Sequence, residues 1–118
     1  MSVFAFCKSD ASSAETDYSL MFLPASLKSG MTRRLDNYPG VSGGAWQHRP
    51  DSRGYVRGRS RDIRDAPVIQ PNYLDAEIDR QIIVRALKHL DRVFSTEPLA
   101  SVIEAFTLPA GQVAAGRS

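Results

Sequence analysis

The alternation of apolar and polar residues divides the chain into short strand candidates followed by one long helix. Four stretches are predicted to be strands: the apolar runs at residues 3–7 and 17–24, the glycine-containing stretch at residues 41–48, and residues 54–60. In the fourth, Tyr55, Arg57 and Arg59 alternate with Val56, Gly58 and Ser60. Met21, Phe22 and Leu23 run without alternation, which predicts burial on both faces of the second strand. Residues 25–40, rich in glycine, proline and charge, predict a long connection.

The second half of the chain predicts helix. Residues 75–95 repeat apolar side chains over about half of a helical wheel, with Asp75 as a predicted N-cap. Pro98 then precedes a shorter helix candidate at residues 99–106. We therefore expect an α+β domain over residues 1–109, a mostly antiparallel sheet packed against one long and one shorter helix. Residues 110–118 predict a flexible tail.

Composition limits the class of protein. A length of 118 residues fits one domain, and 42% hydrophobic residues fit a globular core. The single cysteine, Cys7, excludes an internal disulfide and favours a reducing compartment. No stretch reaches the roughly 20 apolar residues of a membrane span, and the N-terminus lacks the basic region of a signal peptide. We expect a cytoplasmic location without a membrane segment.

Arginine is concentrated in one segment, RPDSRGYVRGRSRDIRDAPVIQPNYL, residues 49–74. One interpretation is a nucleic-acid surface, on which Tyr55 stacks against a base. The other is a solvated strand and turn with local ion pairs, because Asp51, Asp62 and Asp65 are interleaved with the arginines. The net charge of only +2 favours the second interpretation, and we expect no nucleic-acid partner.

Candidate catalytic groups do not form a recognisable constellation in the sequence. His48, Asp51 and Ser52 share one turn, which gives no reason to expect the geometry of a catalytic relay. His89 lies near the edge of the apolar helix face, and Cys7 is interpreted as a small buried hydrophobe. No histidine or cysteine spacing fits a metal site. We predict no catalytic, metal or cofactor-binding residue in this chain.

The arginine-rich segment closely resembles the signature of the C-terminal, substrate-binding domain of the glucose–methanol–choline (GMC) oxidoreductases, and within that family it looks choline dehydrogenase-like. The matching residues are Pro50, Ser52, Arg53, Gly54, Val56, Arg59, Ser60, Asp65, Pro67, Ile69, Pro71, Tyr73 and Leu74. The following helix and the strand at residues 17–24 also look like the family. The resemblance extends over roughly residues 4–109, and as a run of matches in register it is specific.

The resemblance implies an FAD-dependent oxidation of a small alcohol, with one sheet face forming a wall of the alcohol pocket over the flavin. Phe22, Leu27 and Trp46 are the predicted pocket residues. The signature residues are interpreted as structural, not as a nucleic-acid patch. Two departures stand out: the chain lacks the family's G-x-G-x-x-G flavin-binding half, and neither His48 nor His89 falls at the family's catalytic histidine.

We therefore expect a substrate-domain fragment, inactive as an isolated chain, with FAD bound only in the intact enzyme. Its expected partner is a flavin-binding domain of the same or a separate chain. An alternative is a non-catalytic module or subunit that pairs with a separately encoded flavin-binding chain, favoured by the wide apolar faces that separation exposes. A small arginine-rich nucleic-acid binder, whose affinity falls steeply with salt, is the other alternative.

Overall fold

The structure is a computed structural model that describes residues 2–28 and 34–107. The predicted tail at residues 110–118 lies outside the described residues, as does the central part of the predicted connection at residues 25–40. In order, the elements are β1 Val3–Cys7, β2 Tyr18–Leu23, β3 Ser42–Gln47, β4 Tyr55–Arg57, β5 Val68–Gln70, α1 Glu77–Phe94 and a 3₁₀ turn, Ala100–Val102. The predicted α+β class is confirmed, with every strand pair antiparallel.

The first three strands form one sheet in the order β1-β2-β3. In the central strand, Leu20 pairs with Ala5 on one side and with Ala45 on the other. Side chains alternate between the two faces, so this register places the odd-numbered residues of β1 and β3 and the even-numbered residues of β2 on the same face. One face is covered by α1, and the sheet and helix together are called the body.

The core lies between this sheet and α1. Its buried apolar residues are Tyr18, Leu20, Ile82, Ala86, Leu90 and Phe94. They come from β2 and from one stripe of the helix at the spacing that the sequence predicts. Gly43 of β3 lets the helix approach closely, since a Cβ at this position would lie 2.7 Å from the Phe94 ring. The prediction that residues 21–23 are buried on both faces is wrong, because all three side chains are only half-buried.

The long helix begins two residues later than predicted, and Asp75 is not its N-cap. Ala76 holds that position and offers no side-chain cap. The helix is instead capped from a distant turn, because the backbone N–H of Ala76 donates to the hydroxyl of Ser52 at 3.0 Å. A tertiary contact therefore replaces the local cap that the sequence suggests.

Two further predicted elements are shorter than expected. The shorter helix at residues 99–106 is reduced to the 3₁₀ turn Ala100–Val102, where the Ser101 hydroxyl donates to the carbonyl of Pro98 at 2.7 Å and competes with helical bonding. The fourth strand ends at Arg57, because Gly58 opens a turn in which the Ser60 hydroxyl accepts from the N–H of Asp62. Its partner β5 appears in the sequence only as a short apolar run.

Within the part of the chain that the structure describes, strands β4 and β5 pair only with each other, as a separate two-stranded sheet. They belong to a segment, residues 53–74, in which every residue except Asn72 is classed as exposed. This segment is called the arm. It leaves the body after the turn that follows β3 and returns to it at the start of α1, so the body and the arm meet at the helix N-terminus.

Candidate functional site

The residues that resemble the family signature are spread along the arm and its base. Pro50 and Ser52 lie in the turn that enters the arm, and Pro71 and Tyr73 lie where it returns. Leu74 also lies at the return, and the remaining signature residues lie between these two ends: Arg53, Gly54, Val56, Arg59, Ser60, Asp65, Pro67 and Ile69. Their side chains reach no part of the hydrophobic core. The contacts that hold the arm are therefore polar, and they concentrate at its base.

A buried carboxylate, Asp79 of α1, is the centre of these contacts. It is 1% exposed. One oxygen accepts from the N–H of Asp51 at 2.9 Å and from the Gln47 side chain at 2.7 Å. The other accepts from the N–H of Ser52 at 2.8 Å and from the Ser52 hydroxyl. The carboxylate thus ties the end of β3 and the entry turn of the arm to the first turn of the helix.

The electrostatics of this site favour the ionised carboxylate. Burial opposes ionisation of Asp79, yet the hydrogen bonds from Ser52, Asp51 and Gln47 outweigh it and hold the pKa well below its usual range. The N-terminal end of the helix dipole also favours a negative charge in this first turn. Because the carboxylate is charged and each oxygen accepts two hydrogen bonds, a neutral replacement cannot satisfy the same donors.

The exit of the arm is held by a second contact on the same helix turn. The guanidinium of Arg80 donates to the carbonyls of Leu74 at 2.6 Å and Asp75 at 2.7 Å. Leu74 itself has φ of 59°, a left-handed conformation that is costly for a leucine. Asn72, with φ of 51°, donates from its side chain to the Arg53 carbonyl across the base of the arm. Polar contacts thus hold a sharply bent return.

One glycine makes the base of the arm narrow. A Cβ added at Gly54 would lie 2.3 Å from the carbonyl oxygen of Gln70 and 2.6 Å from that of Pro71. Both neighbours are backbone atoms and cannot turn aside. Glycine is therefore required where β4 begins opposite the end of β5.

The far end of the arm is closed by its own short-range contacts. The Ser60 hydroxyl donates to Asp65 at 2.6 Å, and Arg64 donates from Nη2 to Asp62 at 2.6 Å. The hydrogen bonds from Arg64 lower the pKa of Asp62, but the pair is exposed and contributes little to stability. Arg57 stacks on the Tyr55 ring at 4.3 Å. Within the arm, one arginine thus pairs with a carboxylate close to it in the sequence, Arg64 with Asp62, and another, Arg57, stacks on an aromatic ring.

The arm also exposes large apolar side chains. Its large exposed side chains include Val56, Ile63, Ile69 and Tyr73, with Tyr73 84% exposed. Beside them lies a shallow groove of about 320 Å³, which Val56, Ile69, Pro71 and Tyr73 help to line. Exposed apolar clusters of this kind mark interaction surfaces.

The sheet face opposite α1 is a second exposed apolar surface, here called the open face. By strand alternation it carries Phe4, Phe6, Met21 and Trp46, since Gly43, of opposite parity, contacts the helix. Phe4 is 57% exposed and Trp46 47%. Phe6 makes an edge-to-face contact with His48. No helix of the described residues covers this face.

The three residues predicted for a substrate pocket do not converge. Trp46 lies on the open face, whereas Phe22 lies on the helix side and packs edge-to-face on Phe94 with ring centroids 5.5 Å apart. Leu27 lies beyond β2, in an isolated bridge with Leu35. Of the three, only Trp46 belongs to the open face.

The two histidines and the cysteine lie apart from the arm. His89 is half-buried and its Nδ1 lies 2.6 Å from the Tyr18 hydroxyl, which links α1 to β2. Burial, with the nearby Cys7 and Asp17, raises the pKa of Tyr18 to about 12. Cys7 was interpreted as buried, but it lies at the exposed sheet edge and is half-buried.

Metal and membrane features can be assessed over the described residues. In the ranges 2–28 and 34–107 no group of three or more histidine, cysteine or carboxylate residues has the proximity to hold a metal ion. Within the same ranges, no helix combines the length and apolar character needed to cross a bilayer.

The described residues do not fit a flavin. Dinucleotide folds place the pyrophosphate at a helix N-terminus behind a glycine-rich turn. Here the N-terminus of α1 is filled by the Asp79 carboxylate and the Ser52 hydroxyl, and a carboxylate at that place repels phosphate. No step through a flavin can be derived from these residues.

The sequence interpretation missed Asp79 and Gln47. A signal for Asp79 was present, because it precedes the buried Ile82, Ala86 and Leu90 on the same helical stripe. A carboxylate at a core-facing position predicts a buried hydrogen-bond network. Gln47 had no comparable signal, since its role depends on the strand ending beside the helix.

Comparison with known proteins places the arm in a family. The model of the GMC oxidoreductase family matches residues 50–117, from the entry turn of the arm onward. Dehydrogenase str4 of Strobilurus tenacellus is 34% identical over 67 residues, 57% of this chain. A glucose dehydrogenase [FAD, quinone] of Drosophila pseudoobscura pseudoobscura is 37% identical over 73 residues, 62% of this chain. Each match covers 11% of the relative's length.

Proposed function

Because this chain belongs to the GMC oxidoreductase family, we propose that it supplies part of the substrate-binding domain of an FAD-dependent alcohol oxidoreductase, choline dehydrogenase-like. The proposal rests on the arm, because the family match begins at its entry turn. The signature residues lie in its turns and at its base, which hydrogen bonds to Asp79 hold against the helix. The similarity to a glucose dehydrogenase [FAD, quinone] supports FAD as the cofactor and an alcohol as the substrate class.

In the intact enzyme the redox chemistry would be supplied by the flavin, as the hydride acceptor, held by the partner domain. This chain's own residues contribute shape and apolar surface. We assign the pocket wall to the open face, where Trp46 and Met21 offer flat apolar contact to the carbon skeleton of a small alcohol. Phe22 lies on the opposite face of the sheet and supports the wall by packing on Phe94 in the core.

The flavin-binding domain is the proposed partner of the arm. Val56, Ile69 and Tyr73 form an apolar surface that is exposed to solvent in the described structure. Since each curated relative is about nine times longer than the matched segment, there is ample chain in such enzymes to cover it. The proposed location of the assembly is the cytoplasm, and the isolated 118-residue chain is proposed to be inactive.

A second candidate function is a non-catalytic subunit that binds a separately encoded flavin-binding chain. The observation that favours it is that the open face and the arm expose large apolar side chains at the same time. The two candidates predict the same docking surfaces and differ in whether the flavin domain is covalently joined to this sequence.

The native gene product tests the proposal. An antibody against this chain should recover a fraction with visible flavin absorbance that oxidises an alcohol. An intact mass of that fraction distinguishes a joined from a separate flavin domain. A colourless fraction with no associated flavoprotein contradicts both candidates.

Paired substitutions in the recovered enzyme then test the open face. Trp46→Ala should change the relative kcat/KM for alcohols of different size, with little change in melting temperature, because Trp46 is a surface side chain. Phe22→Ala should lower the melting temperature and leave the preference among alcohols unchanged, since Phe22 packs on the core. The reverse result assigns the pocket to Phe22 instead.

A further inference from the structure

The attachment of the arm to the body is polar, and this is unusual for two parts of one domain. In the described residues β4 and β5 pair only with each other, and the core cluster contains no arm residue. The direction in which the arm points therefore cannot be set by apolar packing. It must be set where the arm meets the body.

Both ends of the arm converge on the first turn of α1. The entry turn donates two backbone N–H groups, of Asp51 and Ser52, to Asp79. The exit offers two carbonyls, of Leu74 and Asp75, to Arg80. Neighbouring residues of one helix turn therefore hold the two ends of the arm by opposite charges.

Ser52 closes the connection between the two ends. Its hydroxyl donates to Asp79 and accepts from the N–H of Ala76, so one side chain joins the entry turn, the helix cap and the buried carboxylate. Left-handed backbone at Arg49 lies just before the entry, and at Leu74 just before the helix. Such conformations persist where surrounding contacts over-determine the structure.

We infer that Asp79 is a positioning residue that locks the arm in one direction relative to the body, so that the arm is presented to its partner as a preformed surface. A preformed surface loses less conformational freedom on binding than a swinging one. That the partner is a flavin-binding domain rests on the proposed function. The positional role of Asp79 does not, because it concerns two parts of this chain alone.

The test measures the direction of the arm in the full chain without any partner. Spin labels are attached at Ile63→Cys, in the arm, and Lys88→Cys, on the exposed side of α1, in a Cys7→Ala background. Pulsed double electron–electron resonance gives the distribution of distances between them. The parent should show one narrow distribution. Asp79→Asn, which keeps the shape but faces donors with an amide, should broaden it by roughly twofold while helix circular dichroism is retained.

Asp75→Asn is the matched control. It removes the same charge four residues away and keeps the backbone carbonyl that accepts from Arg80. Over the described ranges the side chain of Asp75 makes no hydrogen bond, so this variant leaves the contacts of the arm in place. The distance distribution should remain as narrow as in the parent. Equal broadening by Asp75→Asn, or an unchanged distribution in folded Asp79→Asn, overturns the inference.

Ser52→Ala decides the matter if Asp79→Asn fails to fold. It removes the hydroxyl link to Ala76 and Asp79 but leaves the backbone N–H donors in place. A folded Ser52→Ala chain should show a distribution broader than that of the parent. A distribution as narrow as the parent's contradicts the inference. Failure to recover any flavoprotein would leave these distances unaffected, so the two proposals fail separately.

Discussion

The body and the arm are held together by different forces. The body buries Leu20, Ala86 and their neighbours between a sheet and a helix, and apolar burial stabilises it. The arm is exposed along nearly its whole length, and hydrogen bonds to Asp79 and Arg80 attach it. The family match begins at the base of the arm, after β3. The most recognisable segment of this chain is thus the least buried, because its signature encodes turns and polar contacts.

The largest effect should come from truncating the body. Leu20 is 1% exposed, and Leu20→Ala should lower the free energy of unfolding by about 2–5 kcal/mol, through lost burial and a cavity. Ile69→Ala, in the arm, removes a side chain that is 64% exposed and should cost under about 0.5 kcal/mol. Urea denaturation followed by circular dichroism measures both. Similar losses in the two variants would show that the arm is part of the cooperative core.

An intermediate effect should appear at alkaline pH, through Tyr18 in the body. Burial is the main cause that raises the pKa of Tyr18 to about 12 in the folded chain. In the unfolded chain the pKa of tyrosine is near 10, so Tyr18 ionises there at a lower pH than in the folded chain. Stability from this group is complete below pH 10 and is lost as the pH rises toward 12, by about 2 kcal/mol.

Urea denaturation of the parent and of Tyr18→Phe between pH 9 and about 12 measures this loss. The variant should lack the part of the slope that Tyr18 contributes. In the arm, the hydrogen bond from Arg64 lowers the pKa of the exposed Asp62, so this carboxyl titrates at acid pH and not at alkaline pH. Asp62→Asn is therefore the control, and it should leave the alkaline slope unchanged. Identical alkaline slopes for the parent and Tyr18→Phe would contradict the assignment.

The smallest effect should come from adding one methyl group to a glycine. Gly43→Ala places a Cβ 2.7–2.9 Å from Phe94 and Leu90, and should cost about 1 kcal/mol as the helix shifts. Gly58→Ala, in the arm, meets its nearest atom at 3.6 Å and should be neutral or slightly stabilising. Thermal unfolding of the two variants compares them. A neutral Gly43→Ala would show that the sheet and helix are less closely packed than the structure indicates.

Much of the body could be predicted from the sequence because its signals are periodic. The strands at residues 3–7 and 17–24 and the long helix follow apolar patterns that hold over several residues. The helix start could not be predicted, since Asp75 satisfies the local rule for a cap while Ser52 supplies the cap from 24 positions away. The second helix is shorter than predicted for a local reason, because the Ser101 hydroxyl donates to the Pro98 carbonyl within the turn.

The candidate site divides in the same way. The signature at residues 50–74 was recognisable because each turn requires particular residues at fixed spacing, and Gly54 illustrates this by its contact with the Gln70 carbonyl. The grouping of Phe22, Leu27 and Trp46 as one pocket was inferred from their apolar character in the region that faces the pocket in the family. Composition does not reveal which side of a sheet a helix covers, and here Phe22 and Trp46 lie on opposite faces of the sheet, with α1 on the Phe22 side.

The sequence by itself therefore determined the α+β class, the amphipathic helix and the family of the arm, because these depend on local propensity, periodicity and turn chemistry. Only the tertiary structure decided which sheet face stays open and which group holds the arm. Both depend on contacts between residues far apart in the chain. Asp79 takes its role from donors at Gln47, Asp51 and Ser52, and a buried carboxylate must find such partners wherever the fold brings them.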